Sequence, residues 1–76
     1  MKWQALFQQA SERPLILERL AEHATAALFA SGNVLAQKSL AETPQADLFF
    51  LCSLLDAHGV AVPGDVARRI ESQSRW

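Results

Sequence analysis

Leu48-Phe49-Phe50-Leu51-Cys52-Ser53-Leu54-Leu55 holds a single polar side chain, Ser53, in eight residues. Alternation of apolar and polar residues never lasts four positions with turn chemistry on both sides, here or elsewhere in the chain, so a strand is a poor reading. Helix signals bracket the stretch instead. Thr43-Pro44 offers an N-cap followed by proline at the first helical position, Asp47 suits the positive end of a helix dipole, and Gly59 stops the helix after His58. The helix predicted over 44–58 is greasy around most of its circumference, and such a helix must be buried around most of it. Two arrangements supply that cover. Either the helix is central and wrapped by all the others, or one face of it, Phe50 with Leu54, lies on a partner or a second copy of the chain.

The ends of this helix lead outward to the rest of the chain. With Gly59 as the left-handed C′ residue, Leu55 and Val60 become the apolar pair of a Schellman ending. Val60-Ala61-Val62 is expected to be extended, because the residue before a proline avoids the helical region. Pro63-Gly64-Asp65 then opens a helix over 64–74 with Val66, Ala67 and Ile70 inward and Asp65–Arg69 and Glu71–Arg75 paired outward. Upstream, Trp3, Leu6, Phe7 and Ala10 fall on one face of a helix over 2–10. Ser11 as N-cap and Pro14 in the first turn start a second helix over 12–30. Its inward stripe is Leu17, Leu20, Ala21, Ala24, Ala27 and Leu28, and Ser31-Gly32-Asn33 ends it. A shorter connecting helix over 34–42 is built on Val34, Leu35, Ala36 and Leu40.

Composition sets the class. The chain has 76 residues, half of them apolar, with 7 Lys and Arg against 8 Asp and Glu and a net charge of −1. That length allows one domain, and folding at this size buries only about 60% of the unfolded chain's surface. Such a core rarely supplies more than roughly 3–5 kcal/mol without staples or a partner. Cys52 is the only cysteine, so no internal disulfide adds to it. The apolar fraction is too high for disorder, and near-zero charge removes the generic electrostatic case for nucleic acid or anionic membrane. No run approaches the ~20 apolar residues that span a bilayer. The N-terminus turns polar before a signal-peptide core could form. A soluble, cytoplasmic, single-domain protein over 1–76 is expected.

Chemistry-bearing residues are sparse. Cys52 has no histidine or lysine nearby in sequence to activate it, and reads as a buried, inert thiol. One cysteine with His23 and His58, far apart in sequence, lacks the spacing of a zinc site. Gly32, Gly59 and Gly64 each have a turn or cap to explain them, and no glycine-rich phosphate loop exists. Glu18 and Glu22, one turn apart, read as a solvated polar face. An acyl-carrier domain has this size, but its prosthetic-group serine follows an aspartate at a helix start, whereas Ser53 follows Cys52 in mid-helix. No enzyme activity, cofactor or metal is expected, and no small-molecule substrate is evident.

A helix-turn-helix resemblance is the competitor from another class. Residues 55–70 carry Gly59-Val60 in a turn, followed by a helix with Arg68, Arg69, Gln73 and Arg75. The turn is about one residue too long, Leu55 stands where that motif takes a small residue, and residues 39–67 hold four acids and no Lys or Arg. A ribbon-helix-helix reading of Val60-Ala61-Val62-Pro63 lacks its second helix.

The expected fold is therefore all-α, a compact bundle of four main short helices with the short connecting helix at 34–42. The expected function is protein–protein interaction: an adaptor, regulator or assembly factor that buries the helix at 44–58 against itself or a larger protein. Phe49, Phe50, Leu54 and the terminal Trp76 are the contact residues named first, with Arg68, Arg69 and Arg75 as a polar rim. The alternative is a dimeric DNA-binding regulator that uses residues 64–75, with the same arginines touching DNA.

Overall fold

The computed structural model describes residues 2–74. It is all-α: α1 (Trp3–Ala10), α2 (Pro14–Ala30), α3 (Val34–Ala41), α4 (Leu48–Ala57) and α5 (Gly64–Ser74), with no strand among the described residues. No described helix is long and apolar enough to cross a membrane.

Two helix starts differ from the expectation, both because of proline. Arg13, not Ser11, is the N-cap of α2, in extended backbone (φ −128°, ψ 93°). The residue before proline is kept out of the helical region, so the helix cannot begin at 12. The Ser11 hydroxyl instead donates backward to the Gln8 carbonyl (3.0 Å), closing α1. At the second site Thr43 and Pro44 form a turn closed by the Ala46 N–H donating to the Thr43 carbonyl (3.2 Å). Proline suits the second position of such a turn as well as it suits a helix start. The Thr43 hydroxyl is spent on the Ser39 carbonyl (2.9 Å), at the end of α3. Asp47 takes the cap of α4, its Oδ1 accepting from the Phe50 N–H at 2.8 Å.

The helix ends follow the sequence closely. Gly59 has φ +71°, its N–H donates to the Asp56 carbonyl (3.2 Å), and the Val60 N–H donates to the Leu55 carbonyl (2.9 Å). This is the expected Schellman ending. Gly32 is likewise left-handed (φ +68°), and the Asn33 side chain caps α3 by accepting from the Ala36 N–H (3.0 Å).

The core is drawn from every helix: Trp3, Leu6 and Ala10; Ile16, Leu20, Ala24 and Leu28; Ala36; Leu51, Cys52 and Leu55; Val66 and Ile70. On α2, Ile16 replaces Leu17 as the buried residue of the first turn, and Leu17 and Ala27 are half-buried against the core. On α3, Val34 and Leu35 point outward, 72% and 70% exposed, and Ala36 alone is buried. α4 is not wrapped by all the others. It packs on α1, α2 and α3, whereas α2 is the helix that touches all four of its fellows. The Cα extents of 36 × 25 × 16 Å explain this. A thickness of 16 Å holds two layers of helices at ~8–10 Å spacing, and in two layers every helix keeps one face outside.

Candidate interaction surface

The inward side of α4 is Leu51, Cys52 and Leu55, with Leu48 and Leu54 half-buried against the same core. Phe50 is half-buried as well. Phe49 is 52% exposed, with its ring edge-on to Phe7 at 5.6 Å between centroids and 67° between planes. Of the three α4 contact residues named from sequence, Phe49 therefore belongs to the surface, while Leu54 is in large part a core residue. Trp76 and Arg75 lie outside the described residues. Arg68 and Arg69 are exposed on α5, and Arg68 Nε donates to the Gly64 carbonyl at 3.4 Å.

The polar residues of α4 fasten α1. Asp56 receives the Trp3 N–H on Oδ1 (2.8 Å) and the Gln4 N–H on Oδ2 (3.0 Å). The N-cap position of α1, Lys2, provides no side-chain cap, and the first turn of α1 holds no acid, so the cap comes from a residue 53 positions away. Ser53 Oγ accepts from Gln4 Nε2 (2.7 Å), and the Trp3 indole N–H donates to the Val60 carbonyl at 3.0 Å. With its ring fully buried and its N–H satisfied, Trp3 is a core residue, as its position on the apolar stripe implies.

Cys52 is fully buried. Burial, with a smaller contribution from the Asp56 charge, pushes its thiol up to about 12, away from the thiolate that nucleophilic or metal chemistry uses. No cluster of three or more His, Cys, Asp or Glu able to hold a metal occurs among the described residues. His58 is the C-cap of α4, and His23 is half-buried on α2. A groove of about 300 Å³ is lined by Leu15, Glu18, Arg19 and Glu22, all from α2.

The largest departure from the sequence reading lies at the α2–α3 corner. Phe29 (63% exposed), Val34 (72%) and Leu35 (70%) lie on either side, along the chain, of the three-residue turn that joins α2 to α3. Two signals pointed there. Phe29 stands one place past Leu28, off the inward stripe, and residues 23–37 carry no Asp, Glu, Lys or Arg.

Compared with protein-family models, with curated proteins and with solved structures, the chain matches none of them.

Proposed function

We propose that the chain is a small, non-catalytic protein–protein interaction module of the cytoplasm, an adaptor, regulator or assembly factor. One observation supports this above all. A domain with a closed core leaves Leu15, Phe29, Val34, Leu35 and Phe49 each more than half exposed. Single exposed apolar residues are ordinary on a small protein, but five large ones on a chain of 76 residues, three of them within seven positions of one another in sequence, support a contact surface. The partner is a second copy of the chain or a larger protein, and the contacts centre on Phe49 with the adjoining Phe50 on α4 and on the α2–α3 corner.

DNA binding through residues 64–75 is the weaker reading. A helix-turn-helix unit packs its two helices closely, and among the described residues no Cα of α4 comes within 8 Å of one in α5.

The test is photo-crosslinking in the native host. A benzoyl-phenylalanine replaces Phe29, Leu35 or Phe49 in turn, with Glu18 as a charged-face control and Arg69 as a probe for nucleic acid. Discrete protein adducts at the apolar positions, absent at Glu18, are expected. No protein adduct at any apolar position would end the interaction reading, and nucleic-acid adducts at Arg69 would replace it with the other.

A further inference from the structure

We propose that α5 is a hinged cover: it melts off α1 and α2 as one unit at Pro63–Gly64 and recloses, while α1 to α4 stay folded. This holds whether or not the chain is an interaction module.

The seat of α5 is narrow. α5 packs on α1 and α2, and among the described residues no Cα of α3 or α4 comes within 8 Å of it. Of its described side chains only Val66 and Ile70 are buried, with Ala67 half-buried, whereas Asp65, Arg68, Arg69 and Ser72 are exposed. Apolar burial is the main force that holds a helix to a domain, and here two side chains supply most of it for an 11-residue helix. The polar closure is poorer still. Arg13 Nη1 reaches the Gln73 carbonyl only at 3.5 Å, the far limit of a hydrogen bond, and Gln73 Oε1 is buried with no partner. A buried oxygen without a partner opposes the closed state, and it regains hydrogen bonds to water when the helix leaves.

The chain just before α5 is fastened by contrast. The Trp3 indole N–H donates to the Val60 carbonyl (3.0 Å), the Val60 N–H donates to the Leu55 carbonyl (2.9 Å), and Val60 and Val62 both pack against the core. Asp56 and Ser53 hold the start of α1 with hydrogen bonds from Trp3 and Gln4 at 2.7–3.0 Å. None of these bonds involves α5, so none is lost when it opens. Beyond Val62 the fastening stops. Pro63 has no N–H to be tied by, Pro63 and Gly64 are exposed, and a Cβ at Gly64 would meet nothing within 4 Å, so the chain has room to turn there.

A helix of this length is marginal once it leaves its domain, so α5 melts as it undocks. Such a unit opens at a smaller free energy than the whole fold. Opening bares to water the faces of α1 and α2 that Val66 and Ile70 help to close in the shared core.

Native-state hydrogen exchange on the full chain, over a series of urea concentrations below the unfolding transition, tests this. Amides of α5 are expected to exchange through an opening more populated than global unfolding, which the amides of α1 report, and less steeply dependent on urea. Two mild substitutions then locate the fault. Asp47→Ala removes the cap of α4 and is expected to raise the opening constant of α1 amides about fivefold. It leaves that of α5 unchanged, because α4 stays folded when α5 opens. Ile70→Val thins the seat itself and is expected to raise both constants by the same factor, roughly three- to tenfold. If wild-type α5 amides are as protected as those of α1, or if Asp47→Ala shifts the two helices equally, α5 opens only with the whole domain and the hinge is overturned. Protection that falls progressively from Gly64 to the end of α5 would mean fraying instead of a unit, and overturns it as well.

Discussion

Asp56 stands in the last turn of α4, where its carboxylate faces the unfavourable end of its own helix dipole. It is held there by the favourable end of another, since the first two N–H groups of α1 donate to it at 2.8 and 3.0 Å. Replacing Asp56 by Ala strands two donors at the start of the helix that carries Trp3. A loss of about 1–2 kcal/mol is expected, the upper range for an N-cap, read from the urea midpoint at unchanged m value. Asp56→Asn keeps one acceptor oxygen and is expected to fall between the two. Cys52 yields a different expectation. Its folded thiol is raised from 9.0 to about 12, so the native state keeps a proton that the unfolded chain releases near pH 9. Stability supplied by the neutral thiol is complete below pH 9 and drains away as pH rises toward 12. Cys52→Ala removes that pH dependence, and its cavity cost is the same at every pH. The slope of stability against pH between 9 and 11, measured by urea titration, is therefore expected to flatten in the variant; an unchanged slope would mean that the thiol ionises normally. Trp3 and Cys52 were both legible as core, because each sits on an apolar stripe of its own helix. The partners of Asp56 were not, since nothing local says that a carboxylate at one helix end faces the start of a helix 53 residues earlier.

Helix ends were more legible than helix starts, and the reason is chemical. A glycine at φ +71° or +68° fills a position other residues resist, so Gly59 and Gly32 are nearly unambiguous stops. Gly59→Ala meets nothing within 4 Å, so its cost is purely the backbone conformation, about 1–2 kcal/mol. The same substitution disturbs Val60, whose carbonyl receives the Trp3 indole, so a change in tryptophan fluorescence is expected to accompany the lower urea midpoint. Starts are ambiguous because Thr-Pro serves equally as helix cap and as β-turn. The structure resolves this with side-chain hydrogen bonds, Thr43 to Ser39 and Asp47 to the Phe50 N–H. Asp47→Ala is accordingly expected to cost α4 about 1 kcal/mol. Thr43→Val, which keeps the shape and removes only the hydroxyl, should cost less. Equal losses would mean that α4 begins at Thr43 after all.

At the scale of the molecule, the greasy stretch at 48–55 left two arrangements open, a helix wrapped on all sides or one with a face its own chain does not cover, and α4 has the second: it buries Leu51, Cys52 and Leu55 and leaves Phe49 exposed. Helical periodicity counts apolar residues around one helix but not the layers that cover it, and a domain 16 Å thick has no centre in which a helix can be enclosed. Part of the burden falls instead on α1. It has only eight residues, yet Trp3, Leu6 and Ala10 are all fully buried, and it packs on α2, α4 and α5. α3 has the same length and the opposite standing. Ala36 is its one buried residue, among the described helices it packs on α2 and α4 alone, and its salt bridge, Lys38 to Glu42 at 3.8 Å, is exposed and contributes little. Isolated helices of eight residues are unstable in water, so each persists only through its packing. Native-state hydrogen exchange is expected to separate them. Amides of α1 should exchange only on global unfolding, whereas those of α3 should exchange through local opening at a much smaller free energy. Equal protection of the two helices would contradict this packing.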